Sequence, residues 1–216
     1  MPSTRLLLVR HGQTDDNHNG VFQGQGGKGL NEQGRSQCQR LAERLTGAGI
    51  RIAAFHCSDL ERARQSAEIL AAPFGLTPSL DAALREVHLG AWEGLHHALI
   101  RERFPEEWAG WQRGVDLRRG GGETYAELAD RMSEAIERIA LAHVGVTSCV
   151  VSHGAAIKAF VGKILGLSVA GLRNFQVAAN TSVSVVERHE DGRYRLLIWN
   201  DAAHRGDPLA EALAVQ

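Results

Sequence analysis

Three cysteines in 216 residues, Cys38, Cys57 and Cys149, make an odd number, are widely spaced and form no CxxC pair. That argues against a disulfide framework and a cysteine zinc site, and fits buried free thiols in a reducing cytoplasm. No stretch approaches the roughly 20 apolar residues of a membrane span, so no membrane partner is expected. Met1 to Thr4 is polar and the apolar run after it stops at Arg10, unlike a secretory signal. Charge of neither sign dominates: the formal net charge is −1, which gives no general pull towards nucleic acid or acidic membranes. Any anion must be held by a local basic cluster. None of the ten histidines falls in an HExxH or HxxxH spacing, so no metal is expected. Internal repeats and low-complexity linkers are also missing.

What is present is an ordinary globular composition, 44% hydrophobic and 23% charged, long enough to bury a substantial core in one domain spanning 1–216. Leu6-Leu7-Leu8-Val9 reads as a short strand buried on both faces, and it ends abruptly on Arg10-His11-Gly12. Cys149-Val150-Val151-Ser152-His153-Gly154 repeats the device. Ligands of open α/β sheets bind beyond the carboxyl ends of strands, so the two imidazoles are expected above one sheet.

Between these runs, Thr14 to Gly34 reads as a long polar loop. Its Gly24-Gln25-Gly26-Gly27-Lys28-Gly29 fits GxGxxG in form only, and Gly29 stands where a P-loop needs Ser or Thr. Spacing predicts helices over Glu32–Thr46, with Gly47 as the stop, and from a Ser58-Asp59-Leu60-Glu61 capping box to Ala72. Two further helices are predicted, from a Thr124-Tyr125-Ala126-Glu127 capping box to Ala142, and from Gly154 through Leu165. Ile52–Cys57, Ser148–Ser152, Ser182–Glu187 and Tyr194–Trp199 read as strands, the last two joined at Asp191-Gly192. Segment 95–122 reads as a small helical cap with a mobile return at Arg118–Gly122, and 200–216 as a surface tail. The fold expected is a three-layer α/β/α sandwich around a mostly parallel sheet.

Singly, His11, His153, Arg10 and Arg62 have bland readings as core-edge histidines and surface cations. Together they suit a phosphate dianion, because guanidinium forks match its oxygens. The glycine after each histidine lets a ligand and a backbone N–H approach closely. Gly154 also opens a helix whose N-terminus favours an anion. This points to phosphoryl transfer with histidine as nucleophile.

The chain resembles the histidine phosphatase superfamily, which includes cofactor-dependent phosphoglycerate mutases. The likeness rests on Val9–Thr14, Asn17 with Gln23-Gly24, Ser58–Ala63, Leu84-Arg85-Glu86 with Gly90–Gly94, Gly121-Gly122-Glu123 and Val151–Gly154, in the family's order. The resemblance implies that His11 attacks phosphorus and that Arg10, Arg62 and His153 hold the phosphoryl oxygens. Glu86 would act as acid and then base, with Asn17, Gln23, Gly24 and Gly154 as further phosphate contacts and no cofactor. A nearby phosphate dianion favours the protonated acid and the two arginines oppose it. Glycines at 27 and 29, and Arg118-Arg119-Gly120 in place of an expected proline, depart from the family pattern near the substrate entrance. The compact cap favours a phosphatase of small phosphorylated metabolites over a mutase; a non-catalytic phospholigand-binding domain is the third reading. Trp92, His88, Trp108, Trp111, Arg118 and Arg119 are candidates for the pocket mouth or, for the tryptophans, for cap packing. A monomer or a homodimer is equally compatible.

Overall fold

The computed structural model describes residues 3–206. Its first strand, β1 (Thr4–Arg10), carries Leu6 and Leu8 on one face and Leu7 and Val9 on the other. Both faces are covered, which is why the run is continuously apolar rather than alternating. A short helix α1 (Asp15–His18) and strand β2 (Val21–Phe22) follow, then α2 (Glu32–Gly47), β3 (Ala54–Cys57), α3 (Glu61–Ala71) and β4 (Ser79–Leu80). The cap comprises β5 (Leu95–His96), α4 (His97–Arg103) and α5 (Pro105–Gln112). Then come α6 (Tyr125–Ala142), β6 (Thr147–Ser152), α7 (Gly154–Ile164), β7 (Val183–Arg188) and β8 (Tyr194–Asp201).

Six strands form a mixed sheet in the order β4-β3-β6-β1-β7-β8, parallel from β4 to β1 and antiparallel from β1 to β8. Helices α6 and α7 pack with Leu6, Leu8 and Val150 on one face through Leu128, Met132, Ile136, Ile157 and Phe160. Helices α2 and α3 pack on the other through Leu41, Leu45, Ala63, Ala67 and Leu70. This is the expected three-layer sandwich. The cap hangs from the first layer by a fully buried Trp92, whose ring meets Phe22, Phe104, Trp108 and Trp111 at centroid distances of 6.0–6.3 Å.

Several local expectations are corrected. Residues 14–34 are not wholly loop, because Thr14 caps α1 through a reciprocal capping box with Asn17 and β2 pairs with β5. Helix α2 runs through Gly47 and stops at Ala48, where the next residue, Gly49, supplies the left-handed turn. The capping box at Ser58 does not form: Leu60 caps α3 without a side-chain bond, and Asp59 instead pairs with Arg85 at 2.5 Å. The box at Thr124–Glu127 does form. Leu165 lies beyond α7 and is 48% exposed. The return at Arg118–Gly122 is pinned rather than loose. Gly90 and Gly120 pack backbone on backbone, so that a Cβ at Gly120 would meet the Leu89 carbonyl at 2.5 Å, and Glu107 accepts from the Gly120 N–H at 2.6 Å. The His96 and His97 rings lie 3.9 Å apart between centroids, with His96 capping α4. Asn200 and Asp201 belong to β8 and Ala202 is buried, so the tail starts later than expected; positions 207–216 lie outside the described residues. All three cysteines are buried and free.

Among the described residues no helix is long and apolar enough to cross a membrane. None of their His, Cys, Asp and Glu side chains gather in threes as a metal site.

Candidate active site

Register builds the centre of the site. β1 and β6 run parallel with Val9 opposite Val151 and Arg10 opposite Ser152, so the next residue on each strand is a histidine. The His11 N–H donates to the Ser152 carbonyl at 3.0 Å, and the His11 and His153 rings lie 5.1 Å apart between centroids. Gly12 is required here, since a Cβ would fall 2.6 Å from the Gly34 carbonyl oxygen of α2.

His11 Nδ1 is 2.7 Å from the Gly12 carbonyl oxygen. A carbonyl can only accept, so Nδ1 carries the hydrogen and Nε2 keeps its lone pair. Burial, with Arg62 and Arg10 beside it, holds this imidazole well below its ordinary range; the same causes, burial first, act on His153. Both rings are therefore neutral, which a nucleophilic imidazole requires. Neither ring nitrogen of His153 has a partner among the described residues.

Arg10, His11, Arg62, Glu86, Asn17, Gln23, Gly24 and Gly154 all line one cavity of about 440 Å³. His153 is fully buried beside His11 and is not among the residues that line it. The cations are gripped by main chain. Arg62 donates to the Gly26 and Gly24 carbonyls at 2.6 and 2.7 Å, and Arg10 donates to the Ala178 carbonyl at 2.7 Å. Each keeps a buried Nε with no partner. Burial lowers both guanidinium pKa values, to about 10 for Arg10, which leaves both charged at neutral pH. The glycine-rich loop thus acts through its carbonyls, as the cradle of Arg62. Its first glycine is fixed by Glu93: at a left-handed φ of +54°, a Cβ on Gly24 would lie 2.3 Å from the Glu93 carboxylate.

Glu86 supplies the site's acid. Its Oε2 accepts from the Ala155 N–H at 3.1 Å and its Oε1 from the Ala156 N–H at 3.0 Å. The N-terminus of α7 therefore already holds the protein's own carboxyl group, and only the end at Gly154 faces the cavity free of it. Gln23 is buried with Oε1 unpartnered. Asn17 is tied back by its Oδ1, which accepts from Thr14 and Asn180.

The histidine phosphatase superfamily (branch 1) model matches residues 6–202. This chain belongs to the histidine phosphatase superfamily. Among curated relatives, a metal-independent phosphoserine phosphatase of Arabidopsis thaliana is 36% identical over 205 residues, covering 93% of this chain and 83% of that one. A phosphoglycerate mutase-like protein of the same plant is 34% identical, covering 92% and 86%. Among solved structures, a mycobacterial glucosyl-3-phosphoglycerate phosphatase complexed with VO3 superposes with a TM-score of 0.82 at 32% identity, covering 91% of this chain and 98% of that one.

Within this histidine phosphatase, sequence reasoning missed the supports. Asn180 Nδ2 donates to the His11 carbonyl at 3.0 Å, and the Thr181 N–H to the Arg10 carbonyl at 2.9 Å from a left-handed φ of 60°. A β-branched residue there is strained. Arg131 donates to the carbonyls of Ala83 and Arg85 and pairs with Glu123 at 2.8 Å, which gives the Gly-Gly-Glu motif its task of holding the backbone beside Glu86. No local signal marks these residues, because their partners are main-chain atoms far away in the chain. Of the pocket-mouth candidates, Trp111 and Arg119 line the cavity, whereas Trp92 is core and Arg118 turns away to Glu127.

Proposed function

We propose that this protein hydrolyses phosphomonoesters of small metabolites through a phosphohistidine on His11. The carrying observation is the His11 imidazole, buried, neutral and fixed as the Nδ1–H tautomer, in a cavity that also presents two guanidiniums and a carboxyl. His11 Nε2 attacks phosphorus, the P–O ester bond breaks, and Glu86 gives its proton to the leaving oxygen. Water then attacks the phosphohistidine, its proton returns to Glu86, and inorganic phosphate departs. Arg10 and Arg62 hold the non-bridging oxygens, where charge stabilisation does most of the work of phosphoryl transfer. His153, at 5.1 Å between centroids from His11, offers an N–H to the same oxygens once the substrate has entered. Asn17, Gln23, Gly24 and Gly154 complete the anion site. The named activities of the phosphatase relatives support this reading, and the free buried thiols suit a cytoplasmic home.

The test is phosphate release from a panel of phosphomonoesters by the wild type and His11→Ala, with trapping of acid-labile labelled protein. Release and labelling by the wild type alone are expected. Interconversion of phosphoglycerates without net phosphate release would make it a mutase. Binding without either would make it a phospholigand-binding domain.

A further inference from the structure

One loop, residues 178–181 before β7, carries much of the geometry at the nucleophile. The Ala178 carbonyl accepts from the Arg10 guanidinium, Asn180 Nδ2 donates to the His11 carbonyl and to Asn17 Oδ1, and the Thr181 N–H donates to the Arg10 carbonyl. Yet Thr181 stands at φ 60°, which is costly for a β-branched side chain. Such a backbone persists only where its surroundings over-determine it.

The far end of β8 and the 3-10 turn after it (Ala203–Arg205) supply those surroundings. Val183 faces Asp201 across the ladder while Val185 faces Ile198, so β8 carries one extra residue there, a bulge. Asn200 lies in it at φ 57°, with its N–H on Ser184 Oγ at 3.0 Å, and its Oδ1 accepts from the Ala179 N–H at 2.6 Å. The hydroxyl of Thr181 is held from the same side. Its oxygen is 2.6 Å from the Asn180 carbonyl, which can only accept, so its one hydrogen goes there. His204 Nε2, 2.8 Å from that hydroxyl oxygen, must then be the donor. Burial, and then the charge of Arg44, lowers His204 to about 4. At neutral pH the ring is therefore the Nε2–H tautomer, the reverse of His11, and its buried Nδ1 has no partner among the described residues.

Resting on the phosphatase reading, we infer that Asn200 and His204 are positioning residues, which hold the strained 178–181 loop so that the His11 imidazole and the Arg10 guanidinium are aligned on the phosphoryl group. Neither is among the residues that line the cavity, so both act through the loop and not on substrate. Arg62, Gln23 and Gly154 keep their places when the prop is removed, so binding survives while attack is misaligned. The loss therefore falls on the chemical step more than on KM.

The experiment uses p-nitrophenyl phosphate, whose leaving group needs no proton from Glu86. The first-turnover rate of p-nitrophenol release at saturation reports attack by His11, and KM is measured beside it, with thermal melts to confirm folding. His204→Phe removes the donor to Thr181. His204→Gln returns an amide N–H near the place of Nε2. Asn200→Gly keeps the left-handed turn but removes the acceptor for the Ala179 N–H. His204→Phe and Asn200→Gly are each expected to lower the first-turnover rate by about 10-fold to 100-fold, with KM within about 3-fold of wild type, and His204→Gln to restore most of the rate. A lower Tm with the rate kept, a loss confined to KM, or a His204→Gln variant as slow as His204→Phe overturns the inference and leaves phosphatase activity standing. If His204→Phe does not fold, Asn200→Gly decides by the same criteria. Failure of the wild type to release phosphate from any ester overturns the phosphatase reading itself.

Discussion

The two ends of the cavity are built in different ways. At the inner end four groups are held by main chain: His11 by the Gly12 carbonyl, Arg62 by those of Gly24 and Gly26, Arg10 by that of Ala178, and Glu86 by the N–H groups that open α7. At the outer end the wall is side chain against side chain, with Trp111 on Trp108 at 5.0 Å and Arg119 on Tyr125. Backbone partners survive most substitutions around them, whereas an aromatic wall is rewritten by any one. The construction separates a fixed chemistry from an adaptable choice of substrate.

Substitutions at each end test that separation. His11→Ala removes the nucleophile and should lower kcat by on the order of 10⁴-fold or more on every ester, read as phosphate release. Glu86→Gln should cost about 10² to 10⁴ in kcat on alkyl phosphates and far less on p-nitrophenyl phosphate, whose leaving group needs no proton. An equal loss on both would remove Glu86 from the proton's path. Trp111→Ala addresses the outer end: a change of about 10-fold in KM for bulky substrates, with kcat for p-nitrophenyl phosphate little altered, would uphold the division. A large loss of kcat would show that the wall reaches into the chemistry. Arg131→Met probes the scaffold beneath the inner end. It frees the backbone at residues 83–86 and leaves Glu123 without its ion pair, so a loss of about 1–3 kcal/mol in unfolding free energy, read by denaturant titration, is expected.

The smallest effect concerns protons. Unfolded imidazoles take up a proton below about pH 6.5, while buried His11 and His153 stay neutral to much lower pH. The unfolded chain then binds more protons, so stability is lost as pH falls through and below 6.5. His153→Gln should shrink the drop in Tm between pH 7.5 and 5.5 relative to wild type. An undiminished drop would mean that His153 accepts a proton in place.

How much of this was visible in the chain depends on whether the signal is local. Leu6–His11 and Cys149–His153 announce strands ending in imidazoles because both faces of β1 and β6 are buried and the polar break is abrupt. The Thr124 capping box was legible for the same reason: all its partners lie within four residues. Ser58–Glu61 has the same pattern but a different outcome: Ser58 Oγ accepts from the Leu60 N–H, Glu61 accepts from Gln65, and α3 starts only at Glu61. Arg62 in the first turn of α3, where the helix dipole disfavours a cation, was a genuine pointer. The carbonyls that hold it could not be read, since every residue has one. Glu86 was found through family resemblance alone; nothing in its spacing shows that it would reach α7.

The aromatic cluster under the cap gives the molecule an optical property. Three of its four tryptophans, Trp92, Trp108 and Trp111, sit together around Phe22, while Trp199, on β8, meets Phe175 edge to face. Three of the four emitters therefore lie in the roof of the cavity and one on the sheet that carries the nucleophile. With Trp111 in the cavity wall, occupancy by an ester changes the signal without any added label, and Trp111→Phe would dim that response while leaving the light of Trp199 to report on the sheet.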